Sequence, residues 1–233
     1  MSEPLVGPGG LVAADGSAWA LPGPVEQGAV VVIDVQRSFA DPAFLPWVGA
    51  AGLEAVAAAV ATTARLVAGA REQGVPVVWV ALEQDPSEPW DTSLWLRRVP
   101  ADAVWPGADE PCVAGTPGAQ WFGVAPEPAE TVVRKTRYSG FVGTTLATEL
   151  QAAGVTWFVA AGLTTECCVG STVWDGFQRG WRTVVASDAT AAYDPDVHTT
   201  TLRVLAENAA VVATTDALLD AFAAARHAVA VPA

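Results

Sequence analysis

Ala29-Val30-Val31-Val32-Ile33-Asp34 is an unbroken run of apolar, mostly β-branched residues that ends in an acid. Such a run is the pattern of a strand covered on both faces, as strands of a parallel sheet are. The sequence after it agrees. Residues 52–73 are rich in Ala, carry apolar positions at helical spacing, and are stopped by Gly74. Residues 75–80 (Val-Pro-Val-Val-Trp-Val) predict a second strand, with Pro76 near its start, where a missing N–H does least harm. Further strands are expected at 131–135, 156–161, 182–187 and 210–213, and helices at 144–153, 168–179, 194–208 and 216–228. Gly154 and Gly180 close two of these helices, and Asp194-Pro195 opens a third, as N-cap and first helical residue. Strands that alternate with helices imply an α/β fold, a parallel sheet with helices on both faces.

Two regions break the alternation. Residues 1–28 are rich in Gly and Pro without a sustained period, and read as an irregular N-terminal arm before a single domain over 29–233. Residues of about 83–130 lose all period and hold only a short expected helix around 92–98. A segment this long within a compact domain usually serves function. Trp90, Trp95, Trp105 and Trp121 mark it as an ordered lid, because disordered segments are poor in aromatics.

Composition excludes several classes. The 233 residues hold 12 Lys and Arg against 25 Asp and Glu, a net charge of −13. That balance argues against a general nucleic-acid binder, which needs positive surface to displace phosphate counterions. It also argues against docking on anionic membranes. No apolar stretch reaches the length of a spanning helix before Gly, Pro or charge interrupts it, and the first residues lack the pattern of a signal peptide. Cys112, Cys167 and Cys168 cannot all pair, so free thiols in a reducing cytoplasm are expected.

Ligands of doubly wound sheets bind beyond the carboxyl ends of the strands. Asp34 ends the first expected strand, Lys135 the third, and Cys168 follows the fourth across a short turn. An acid, an amine and a thiol at one sheet edge form a candidate nucleophilic site. A cysteine at a helix start feels the positive end of the macrodipole, which favours thiolate, and unpaired N–H groups there can receive an oxyanion. Asp34 would take the thiol proton and return it to a leaving amine. Each residue also has a plain reading: a capping acid, a solvated lysine, a packed cysteine.

The wording around these residues adds to the pattern. Val32-Ile33-Asp34-Val35-Gln36, Lys135-Thr136-Arg137-Tyr138-Ser139-Gly140-Phe141, and Gly162-Leu163-Thr164-Thr165-Glu166-Cys167-Cys168-Val169, followed by Gly180 and Asp188-Ala189, resemble the isochorismatase-like cysteine hydrolases over roughly residues 29–220. Within that family the chain is most similar to the carbamoylsarcosine amidase and ureidoacrylate or biuret hydrolase branch. The resemblance implies a Rossmann-like three-layer fold with six parallel strands, and a triad of Asp34, Lys135 and Cys168. It implies a cis peptide between Leu163 and Thr164, an oxyanion hole from the N–H groups of Thr164 and Cys168, and an apolar role for Cys167. Phe39 matches a pocket aromatic, and Trp121 and Tyr138 are further candidates for substrate contact.

The same resemblance implies a cofactor-free enzyme that forms a homodimer or homotetramer. The metal-binding Asp and His pair of the family's nicotinamidases is absent, since the two histidines, His198 and His227, lie near the C-terminus. His198 is either the counterpart of a histidine in the carbamoylsarcosine amidase branch or a helix-surface residue. Glu166 is either a solvated turn residue or an unfavourable charge beside the thiol. The expected activity is cleavage of a C–N bond in a small amide, carbamoyl or ureido compound through an acyl-enzyme. Two alternatives remain at this point: vinyl ether hydrolysis with Asp34 as acid, and a non-catalytic small-molecule-binding homologue.

Overall fold

The computed structural model describes residues 11–12, 18–107 and 109–230. Its centre is formed by six parallel strands: β3 (Gly28–Ile33), β4 (Val77–Leu82), β5 (Thr131–Lys135), β6 (Trp157–Leu163), β7 (Arg182–Ala191) and β8 (Val211–Ala213). Their order is β8-β7-β6-β3-β4-β5, and two short antiparallel strands, β1 (Leu11–Val12) and β2 (Ala18–Trp19), extend the sheet beyond β8. The parallel order is the doubly wound one, and it reverses between the hydrogen-bonded neighbours β3 and β6.

The arm before residue 29 is therefore more regular in its described part than the sequence suggests. β1 pairs with β2 and, through Val12, with Val212 of β8. The physical reason is the edge of the sheet: β8 would otherwise leave a row of unpaired backbone groups. A two-residue strand is too short to show a period, so nothing in the sequence announces it.

The quoted run earns its double burial by alternation. Val30 and Val32 join one core with Trp79, Trp157, Leu66 and Phe222, while Ala29, Val31 and Ile33 join a second core with Phe158, Leu146, Leu150 and Leu205. The first core lies under α2 (Ala50–Glu72) and α7 (Thr215–Ala230). The second lies under α4 (Leu146–Ala152), α5 (Gly170–Gln178) and α6 (Pro195–Asn208). These are the three layers the alternation predicts. Asp194 caps α6 by accepting a hydrogen bond from Asp196 N, with Pro195 in the first turn. α2, at 23 residues, is long and apolar enough to cross a membrane by length and composition, which corrects the expectation that no such stretch exists. In this fold its Val56, Val60, Leu66 and Val67 are buried against the sheet.

Packing at the start of β3 gives a first prediction. A Cβ added at Gly28 would lie 2.2 Å from Cζ2 of Trp157, whose side chain is fully buried. Gly28→Ala should therefore lower stability by about 1–3 kcal/mol, the usual cost of overpacking. Urea unfolding of the variant checks this, and a change below about 0.5 kcal/mol would show that the indole has room to shift.

Candidate active site

The site stands where the sheet order reverses. β3 ends at Ile33, and the next residue, Asp34, adopts a positive φ of 52°. Its Oδ1 accepts a hydrogen bond from Leu82 N at the end of β4, 2.8 Å away. Its Oδ2 meets the ammonium of Lys135, the last residue of β5, at 2.6 Å. Lys135 Nζ lies 3.3 Å from Cys168 Sγ and donates to the carbonyl of Arg137 at 3.0 Å. Asp34 is 0% exposed, Lys135 1% and Cys168 5%. The plain readings of a surface lysine and a solvated acid do not describe this geometry.

The structure moves the start of the helix that carries Cys168. Helical geometry begins at Thr165 in a π-turn, Thr165–Val169, that runs into α5, so Cys168 sits inside this first turn. The peptide between Leu163 and Thr164 is cis. Thr172 Oγ1, one turn on, donates to Cys168 O at 2.7 Å and accepts from Gly140 N at 2.9 Å, tying the turn to the Lys135 motif.

Electrostatics correct one expectation. The Cys168 thiol is held well above its ordinary pKa by its hydrogen bond to Cys167, by burial and by the charge of Asp34, with Lys135 offsetting only part. The helix start was expected to favour thiolate, but that holds for a partly exposed cysteine, and this one is buried beside a carboxylate. Cys167 is pushed down through the hydrogen bond from Cys168. Burial raises the Asp34 carboxyl above the ordinary range, against the pull of Lys135. For Lys135 burial is the largest influence and pulls down, but the charges of Asp34 and Cys168 outweigh it and hold the ammonium on. The resting site thus keeps a protonated thiol beside a carboxyl of raised basicity and a fixed cation. Asp34, whose carboxyl interacts with the Cys168 thiol, is the group placed to exchange a proton with it.

A cavity of about 330 Å³ opens above Cys168. Phe39 and Tyr138 are among the residues that line it. Trp121 does not: its ring packs edge-on to Trp79, 5.1 Å between centroids, as part of the first core. The lid supplies the roof through Trp90, Ser93, Arg97, Glu110 and Pro111, with α3 (Asp91–Leu96) as the one α-helix among its described residues. Trp90 meets Tyr138 edge to face at 4.9 Å, and the Arg137 guanidinium covers the Trp90 ring at 4.9 Å.

The two residues left open are placed as follows. Glu166 lines the cavity, is exposed, and accepts a hydrogen bond from Thr164 Oγ1 at 2.9 Å. His198 lies outside the cavity lining. Its Nδ1 is 2.8 Å from Thr165 Oγ1, which in turn meets Thr190 Oγ1 at 2.9 Å, so it braces the Thr165–Val169 turn from behind. It is neither a cavity residue nor a free surface histidine. Cys112 is buried, and burial pushes its thiol up to about 12. Among the described residues no group of three or more His, Cys, Asp or Glu is arranged to hold a metal ion.

Sequence reasoning missed two glutamines. Gln36 Nε2 donates to Leu82 O and Ala119 O, both at 2.9 Å, and its Oε1 accepts from Leu82 N at 2.9 Å, locking the lid base to β4. Gln84 lines the cavity and is 3% exposed. The available signal was position alone: each follows closely on a strand end at the ligand-binding edge.

A doubly wound sheet that brings an acid, a lysine and a cysteine together at its switch point defines a hydrolase-like architecture, and comparison places it. The chain belongs to the isochorismatase family, since the family model described as Isochorismatase domain matches residues 28–217. It is 34% identical over 183 residues to a ureidoacrylate amidohydrolase RutB of Methylobacterium radiotolerans, covering 72% of this chain and 68% of that protein. It is 34% identical over 175 residues, 73% of this chain and 84% of the relative, to a probable inactive nicotinamidase of Arabidopsis thaliana. In structure it resembles a cysteine hydrolase from Pseudomonas syringae pv. phaseolicola, with a TM-score of 0.76 and 26% identity, over 97% of this chain and 100% of that one.

Proposed function

We propose that this protein is an amidohydrolase that cleaves a non-peptide C–N bond of a small amide, carbamoyl or ureido compound, with Cys168 as nucleophile. The observation that carries the reading is the contact of Lys135 Nζ with both Asp34 at 2.6 Å and Cys168 Sγ at 3.3 Å, directly beneath a cavity that Cys168 lines. The named activity of the RutB relative supports the bond type.

The chemistry follows from the proton inventory. Sulfur attacks the carbonyl carbon as Asp34 takes the thiol proton, and the carbonyl oxygen becomes an oxyanion. The N–H groups of Thr164 and Cys168 would receive that oxygen. Collapse breaks the C–N bond, and Asp34 returns the proton to the departing nitrogen. Lys135 keeps the charge of Asp34 balanced while the proton is on sulfur or substrate. Water, deprotonated by Asp34, then breaks the thioester, releasing the acid and restoring the thiol. The scheme uses no cofactor. The same reading takes the protein to be a cytoplasmic homo-oligomer, in which its three unpaired thiols would stay reduced.

A panel of ureas, carbamoyl amino acids, nicotinamide and small diamides, scored by ammonia release, tests the reading, with isochorismate scored by pyruvate release. Ammonia from at least one amide, lost in Cys168→Ala, is the expected result. Pyruvate release that survives Cys168→Ala would establish vinyl ether hydrolysis instead. Ligand binding without turnover would align the chain with the inactive relative.

A further inference from the structure

We propose that the cavity selects amides whose far end is an uncharged hydrogen-bonding group, a second carboxamide or a ureido group, over those ending in a carboxylate, with Gln84 as the specificity-determining residue. This rests on the amidohydrolase reading and names its substrate class.

Gln84 Oε1 is the one buried side-chain nitrogen or oxygen among the described residues that lacks a hydrogen-bond partner. Such a group is costly to leave unmade, and in a cavity wall it points to a ligand that completes it. The contrast with Gln36 is direct, because both ends of that amide are engaged by backbone groups. Gln84 is also held in place. Its N–H donates to Cys112 O and its carbonyl accepts from Ala114 N, both at 2.9 Å, which fixes it between the end of β4 and the lid. An acceptor so placed calls for an N–H. A carboxamide or ureido group brings one and can also accept from the Gln84 amide nitrogen, whereas a carboxylate can meet only that nitrogen and leaves the oxygen unmet.

The charges of the wall point the same way. The ionisable side chains around the cavity above the triad, apart from the thiols and phenols, are Arg97, Glu110 and Glu166. Arg97 is engaged by Glu110 at 2.6 Å, and the Glu110 side chain is itself 5% exposed. Glu166 has a threonine hydroxyl as its partner and no cation. Beneath them Lys135 is taken up by Asp34 and a backbone carbonyl. An incoming carboxylate would thus meet one engaged cation and two anions between aromatic walls, where an unpaired charge is expensive. The acrylate named for the RutB relatives would fit this wall poorly.

Maleamide and maleamate are nearly isosteric and differ at one end, as carboxamide and carboxylate. Calorimetric titration of the full-length Cys168→Ala protein with each should show the diamide binding at least about tenfold more tightly, the scale of one unmet buried hydrogen bond. Gln84→Leu in the same background should weaken the diamide and bring the two within about threefold. Tighter or equal binding of the acid, no measurable binding of the diamide, or a preference that survives Gln84→Leu would each overturn the proposal. Ammonia release by the unsubstituted enzyme is scored separately, so failure of the hydrolase reading is distinguishable from failure of this one.

Discussion

Cys168→Ala is expected to lower amide turnover by about 10⁴-fold or more, the scale seen when a nucleophile is removed from a concerted site. The fold should persist, because the change removes one buried sulfur and leaves the backbone bonds of the Thr165–Val169 turn in place. Cys167→Ala should stay within about tenfold of the parent. Cys167 lines the cavity but has no contact with Lys135 Nζ like that of Cys168. The two thiols also differ toward alkylation of the resting protein. Cys167 is the more exposed, so iodoacetamide should label it ahead of the buried Cys168, with peptide mapping as the readout. Activity that survives Cys168→Ala but dies in Cys167→Ala would place the nucleophile one residue earlier.

Lys135→Met is expected to cost about 3–5 kcal/mol in stability, because it removes one partner of a fully buried ion pair and leaves the other. The cost should depend on pH, and its sign can be worked out. Burial already raises the Asp34 carboxyl above its ordinary 3.8, and loss of the ammonium raises it further. A raised folded pKa makes the folded state hold its proton where the unfolded chain has released it. Stability of the variant is therefore greatest below the unfolded value. It falls by about 1.4 kcal/mol per pH unit from near 3.8 upward until the folded pKa is passed. Urea unfolding at pH 5 and pH 8 checks this, with the larger destabilisation expected at pH 8. Adding Asp34→Asn should recover much of the loss, since no buried charge then remains. Equal and small costs at both pH values, with no recovery in the double variant, would mean that the two groups are not coupled.

Much of this was legible in the sequence for identifiable reasons. The run 29–34 declares burial on both faces, and glycines at 74, 154 and 180 declare helix ends, because these signals are local. Asp34, Lys135 and Cys168 could be grouped because a parallel sheet sends all its strand ends to one edge. What stayed hidden depends on contacts distant along the chain. Trp121 reads as a lid aromatic until Trp79, on β4, is found against its ring. The thiol of Cys168 reads as favoured toward thiolate by its helix start until its burial beside Asp34 and Cys167 is known. Gln84 has no signature beyond its place after a strand end, since an unmet acceptor is a property of the surroundings and not of the residue.

The order of the strands separates two things that such a site must control. Asp34 and Cys168 issue from β3 and β6, which share one continuous ladder from Gly28 and Trp157 to Ile33 and Gly162. The spacing of Asp34 and Cys168 is thereby set by the central pairing of the six parallel strands. Lys135 arrives from β5, two strands away at the outer edge, and reaches the pair only across β4. Substitutions that shift this edge would retune the charge felt by the thiol while Asp34 and Cys168 keep their places. A lineage with this layout can adjust acidity and alignment independently, one from the rim of the sheet and the other from its middle.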